Sequence, residues 1–97
     1  MKKHEVINKL RDRESELKSL GISSLLLFGS VARNDASPAS DVDLFFDYDN
    51  PRFSLIDLIK VQERLASILG TEVDVTTRSS LHPLLRPDIE ASAIRVF

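Results

Sequence analysis

Apolar side chains recur with helical period at the start of the chain. Val6, Ile7, Leu10, Leu17 and Leu20 fall near one stripe, and Lys, Arg and Glu fill the rest, so residues 2–20 are predicted to form an amphipathic helix. Gly21 stands where a left-handed C-terminal cap is expected. The pattern then shifts to a mostly buried strand over residues 22–28, stopped by Gly29-Ser30 and followed by a short helical turn over residues 30–34. A second strand is predicted over residues 42–48 and is broken by Asp49-Asn50-Pro51. Ser54 with Asp57 three residues on has the form of a capping box. The helix it opens carries Leu55, Leu58, Ile59, Leu65 and Leu69 on one side and closes at Gly70. Val73 and Val75 alternate with Asp74 in a half-buried strand over residues 72–76. Pro87, Asp88 and Glu90 mark the first turn of a last short helix with Ile89 and Ala93 inward.

This order predicts a small α/β or α+β sandwich, with helices covering one face of a sheet of three or slightly more strands. The turn-forming stretch Asn34-Asp35-Ala36-Ser37-Pro38-Ala39-Ser40 is short enough to be a loop within it. Ninety-seven residues are expected to form one domain over 1–97. The absence of cysteine excludes disulfide scaffolds, thiolate metal sites and cysteine nucleophiles. No apolar run approaches the ~18 residues of a membrane span, and Met-Lys-Lys-His-Glu opens no secretory signal, so a cytoplasmic protein is expected. A net charge of −2 argues against nucleic-acid binding by charge alone.

The chemistry concentrates on acidic residues. Asp41 and Asp43 are two apart at the start of a strand, so both point to one face with α-carbons roughly 6.6 Å apart. Asp74 points away from the valines beside it and joins the same cluster if its strand neighbours the second one. Carboxylates on rigid strands can hold magnesium through oxygen and leave positions open for phosphate and water. Such an ion stabilises phosphoryl or nucleotidyl transfer, and the third carboxylate can serve as general base or second ligand. Acidic residues at strand ends also commonly just face solvent. However, like charges this close are unfavourable without a cation or donors between them.

Gly29-Ser30 follows the first strand directly. A glycine there lets backbone approach a ligand, and the following amides and hydroxyl can donate to phosphate. No Gly-Lys-Ser/Thr follows, so this is not a P-loop. Arg33, one turn on, is within reach of a phosphate or simply exposed.

The segment from Phe28 to Arg33, ten residues between Ser30 and Asp41, and then Asp41-Val42-Asp43-Leu44 resemble the signature of polymerase-β-like nucleotidyltransferases. Val73-Asp74-Val75 is similar to the strand carrying that family's third acidic residue, and residues 81–87 onward resemble its minimal branch. The resemblance spans about Gly21 to Val96. It implies a nucleotidyltransferase core of a small mixed sheet with helices packed against it, and transfer of AMP from ATP with release of pyrophosphate. In the minimal branch it implies an antitoxin that modifies a tyrosine of a HEPN-domain toxin, usually a ribonuclease, in a hetero-oligomer. Gly29, Ser30 and Arg33 would hold the nucleotide. Asp41 and Asp43 would hold magnesium (two ions), and Asp74 would complete the metal site or activate the acceptor. The family usually has glycine after its Ala-Arg pair, where this chain has Asn34, a residue that tolerates the left-handed conformation.

Other readings stay open at this level: a non-catalytic antitoxin acting by occlusion, or a nucleotidyltransferase acting on a small molecule or an RNA end. With little chain beyond the core, the acceptor is expected to arrive on another protein. Phe45, Tyr48 and Phe53 are candidates for that contact or for the core, and His4 and His82 read as surface residues.

Overall fold

The computed structural model describes residues 1–37 and 41–97; the Pro38-Ala39-Ser40 part of the predicted loop lies outside the described residues. The chain runs α1 (Lys3–Arg11), α2 (Glu14–Ser19), β1 (Ser24–Phe28), α3 (Gly29–Ala32), β2 (Val42–Asp47), α4 (Leu55–Leu69), β3 (Val73–Thr77), a 3₁₀ turn (Arg78–Ser80), α5 (Arg86–Ser92) and β4 (Ile94–Arg95).

The predicted helix over residues 2–20 is two helices. From Arg11 to Glu16 the chain carries no apolar side chain, so breaking the helix there removes nothing from the core. Each half still buries its own apolar residues, Val6 and Leu10 on α1 and Leu17 on α2. Gly21 caps α2 at φ +109°, with its amide bonded to the Lys18 carbonyl and the Ile22 amide to the Leu17 carbonyl. The capping box of α4 forms: the Ser54 amide donates to Asp57 Oδ2 at 2.9 Å, and the Asp57 amide donates back to Ser54 Oγ at 3.4 Å.

The sheet has four strands in the order β3-β2-β1-β4. β1 is antiparallel to β2 and β4, whereas β2 and β3 are parallel, joined by α4 as the crossover a parallel pair requires. The two-residue strand β4 has too short a pattern to be read from sequence.

Alternation along the strands divides the sheet into two faces. Leu25, Leu27, Val42, Leu44, Phe46, Val73 and Val75 point to one side and pack against Val6, Leu10, Leu17, Val61, Leu65 and Leu69 of the helices. Phe28, Asp43, Phe45, Asp47 and Asp74 belong to the other side. The helices α1, α2 and α4 cover the first face, as expected. α5 does not, and instead lies over the second.

Of the two readings open for Phe45, partner contact or core, the structure gives burial. Its ring is fully buried, with the Phe28 ring at 5.6 Å and the Arg78 guanidinium 5.0 Å above it. Phe53 is packed against the core edge, with its ring stacked on Tyr48 at 4.6 Å, and only Tyr48 of the three is exposed. No helix among the described residues is long and apolar enough to cross a membrane.

Candidate active site

The site begins where β1 ends. Phe28 pairs with Asp43 across β1 and β2, so the chain leaves the sheet beside that carboxylate. Gly29 makes the exit at φ +76°, a left-handed conformation that costs an L-residue about 1–2 kcal/mol. A Cβ at Gly29 would lie 2.1 Å from Asp43 Oδ2 and 3.1 Å from Asp43 Cβ. The glycine therefore makes room for the Asp43 carboxylate against the turn.

Residues 29–32 coil into α3, and Asn34 takes φ +63°, the one positive value among the described non-glycine residues. The left-handed turn implied by the family's glycine is thus kept by asparagine. We expect Asn34→Gly to match or slightly exceed wild-type stability and Asn34→Val to lose about 1–2 kcal/mol, read from urea midpoints.

Asp43 opens into a cleft of about 510 Å³ lined also by Phe28, Gly29, Ser30, Arg33, Asp88, Ile89 and Ser92. All three sequence-predicted nucleotide residues, Gly29, Ser30 and Arg33, line the same cleft as Asp43. Arg33 pairs with Asp35 at 3.3 Å, but both side chains are well exposed, so the pair is weak and the guanidinium is free to turn toward a phosphate. Asp88 and Ser92 had no sequence signal as cleft residues, because α5 reaches this face through tertiary packing. Ile89, predicted to point inward with Ala93, is half-buried and faces this cleft rather than the core, and Ala93 lies just past the end of the helix.

The carboxylates do not all line one wall. Asp74 stands directly opposite Asp43 in the parallel β2–β3 register and is exposed. Asp41, just before β2, is also exposed and borders a separate hollow of about 420 Å³ beside Ile59 and Glu63 of α4 and Glu72. The three are linked through their charge. Burial pushes the Asp43 carboxyl above its ordinary value, the Asp74 and Asp41 carboxylates push it further, and Arg33 offsets part of this.

Folding therefore favours protonated Asp43. Its stabilising contribution is full below the unfolded carboxyl value and is lost as pH rises through the raised folded value. As pH rises the site gathers negative charge that Arg33 offsets only in part. Accordingly, Asp74→Asn should stabilise the metal-free protein by roughly 0.2–1 kcal/mol at pH 7 in urea unfolding. An unchanged or lowered stability would show that the two carboxylates do not repel.

Among the described residues, no three His, Cys, Asp or Glu side chains already close around a single point. Magnesium does not require that, since it commonly takes one or two carboxylates and fills the remaining positions with phosphate oxygens and water. Hard oxygen donors on adjacent strands, with one carboxyl destabilised by its neighbours' charge, suit such an ion.

The nucleotidyltransferase domain model matches residues 7–96, a span that includes the Gly29 turn, Asp43 and Asp74. The chain belongs to that family and is a transferase. It is 40% identical to a Methanocaldococcus jannaschii protein that carries the name protein adenylyltransferase, over 78% of this chain and 81% of that protein. A solved structure described as a minimal nucleotidyltransferase superposes with a TM-score of 0.74 at 32% identity, covering 97% of this chain and 95% of the other. A toxin–antitoxin structure with AMP-PNP shares the fold at a TM-score of 0.70 and 21% identity, covering 100% of this chain and 73% of that one.

Proposed function

We propose that residues 1–97 act as one minimal nucleotidyltransferase domain that transfers AMP from ATP to a tyrosine hydroxyl of a HEPN-family toxin, and so neutralises it. The observation that carries this reading is the seat of Asp43: against the Gly29 turn, in register with Asp74, and open to a cleft. The name of the archaeal relative supports protein as the acceptor. The toxin–antitoxin fold neighbour with AMP-PNP supports an adenine nucleotide and a toxin partner.

In this reading the amides and hydroxyl of Gly29-Ser30 receive the triphosphate, and Arg33 turns from Asp35 to meet it. Asp41 and Asp43 would hold magnesium, which neutralises phosphate charge when bound. Asp74, exposed beside Asp43, completes that site or takes the proton of the incoming hydroxyl. The hydroxyl oxygen forms a bond to the α-phosphorus, the bond to the β-phosphate bridging oxygen breaks, and pyrophosphate leaves with the electron pair.

Incubation with ATP, magnesium and a purified candidate HEPN-family partner tests the proposal by intact mass. One or more added AMP masses on a partner tyrosine are expected. A partner that is silenced with no change in mass would overturn the catalytic reading in favour of occlusion.

A further inference from the structure

Arg78, in the 3₁₀ turn, joins β2 to α5 on the cleft face of the sheet. Its Nε and Nη2 donate to Asp47 at 2.8 and 2.9 Å, and its Nη1 donates to Glu90 of α5 at 2.8 Å. Glu90 also accepts from Arg86 Nε at 2.7 Å, and Asp47 accepts from Ser24 Oγ of β1 at 2.7 Å. The guanidinium lies over the buried Phe45 ring, which touches Phe28 at the cleft floor. Asp47 and Glu90 are both held below their ordinary carboxyl values, Asp47 chiefly by Arg78 and Glu90 by Arg86 and then Arg78. Partly buried, bidentate, charge-assisted bonds of this kind fix geometry in a way that exposed pairs do not.

The consequence lies in α5. This helix has only seven residues, buries none of them fully, and supplies Asp88, Ile89 and Ser92 to the cleft opposite Gly29 and Asp43. A helix so short has little stability of its own. With no side chain fully buried, it is tied to β2 by Arg78, which bonds both Glu90 and Asp47.

We infer that Arg78 is a positioning residue: through Glu90 it holds α5 as the cleft wall, and so sets nucleotide affinity without touching the reacting atoms. This rests on the adenylyltransferase reading and adds the device that shapes its nucleotide site. Glu90→Gln removes the charge on the α5 side, whereas Ser24→Ala removes a bond of the same network on the sheet side, away from the cleft. The readouts are AMP-PNP affinity with magnesium by calorimetry and the rate of labelled AMP transfer to the partner at saturating ATP.

Glu90→Gln and Arg78→Lys should each weaken AMP-PNP binding about tenfold and leave the saturated rate within about twofold. Ser24→Ala should leave both unchanged. Unaltered affinity in Glu90→Gln would overturn the inference, as would an equal loss in Ser24→Ala, which would reduce the network to general stability. A wild-type protein that binds no AMP-PNP would instead overturn the functional reading itself.

Discussion

The double variant Asp41→Ala, Asp43→Ala is expected to lower AMP transfer at least about 10³-fold while the protein stays folded. Asp43 is the carboxylate seated on the Gly29 turn. Its replacement removes a charged group that burial and two neighbouring carboxylates already disfavour. Thermal stability without metal should therefore hold or rise, which separates lost chemistry from lost fold. Radiolabel incorporation into the partner, run beside a melting curve, measures both. A variant that transfers AMP at the wild-type rate would remove Asp41 and Asp43 from the mechanism.

Gly29→Ala should be nearly as damaging, for a steric reason. The new Cβ would meet Asp43 Oδ2 at 2.1 Å and the Asp43 Cβ at 3.1 Å, so rotating the carboxylate relieves only part of the clash. Displacing the carboxylate or the turn by about 1 Å is enough to cost ~10²-fold in rate. The left-handed φ of +76° adds about 1–2 kcal/mol of strain, visible as a lower urea midpoint. Wild-type activity with wild-type stability in this variant would show that the contact between Asp43 and the turn is unimportant.

These two predictions depend on features that the sequence exposes unequally. Strand β2 begins where the apolar run predicts, but the two-residue period that would put Asp41 and Asp43 on one face does not extend to Asp41, which lies just before the strand and borders a separate hollow. The left-handed turn at Asn34 is implied by the glycine usual at that place in the family, and asparagine is a side chain that tolerates it. Strand order is not local, so the pairing of Asp43 with Asp74 could be stated only as a condition; the β2–β3 register meets it. The contact between Gly29 and Asp43 joins two segments whose approach is set by the whole sheet. Phe45 shows the same limit from the other side. Its neighbours in sequence say nothing of Arg78, which covers its ring. The break between α1 and α2 was legible in principle, as the polar stretch from Arg11 to Glu16, but helical period alone spans it.

Everything proposed here assumes that the aspartate lodged on the β1 exit loop collects a divalent ion together with a nucleotide. Crystals grown with manganese and AMP-PNP read this out by anomalous scattering. The account predicts a peak in contact with Asp43 and Asp41, with the triphosphate over Gly29 and Ser30 and Asp74 beside them. A nucleotide bound elsewhere, or one bound over the turn with no scatterer at Asp43, would contradict it.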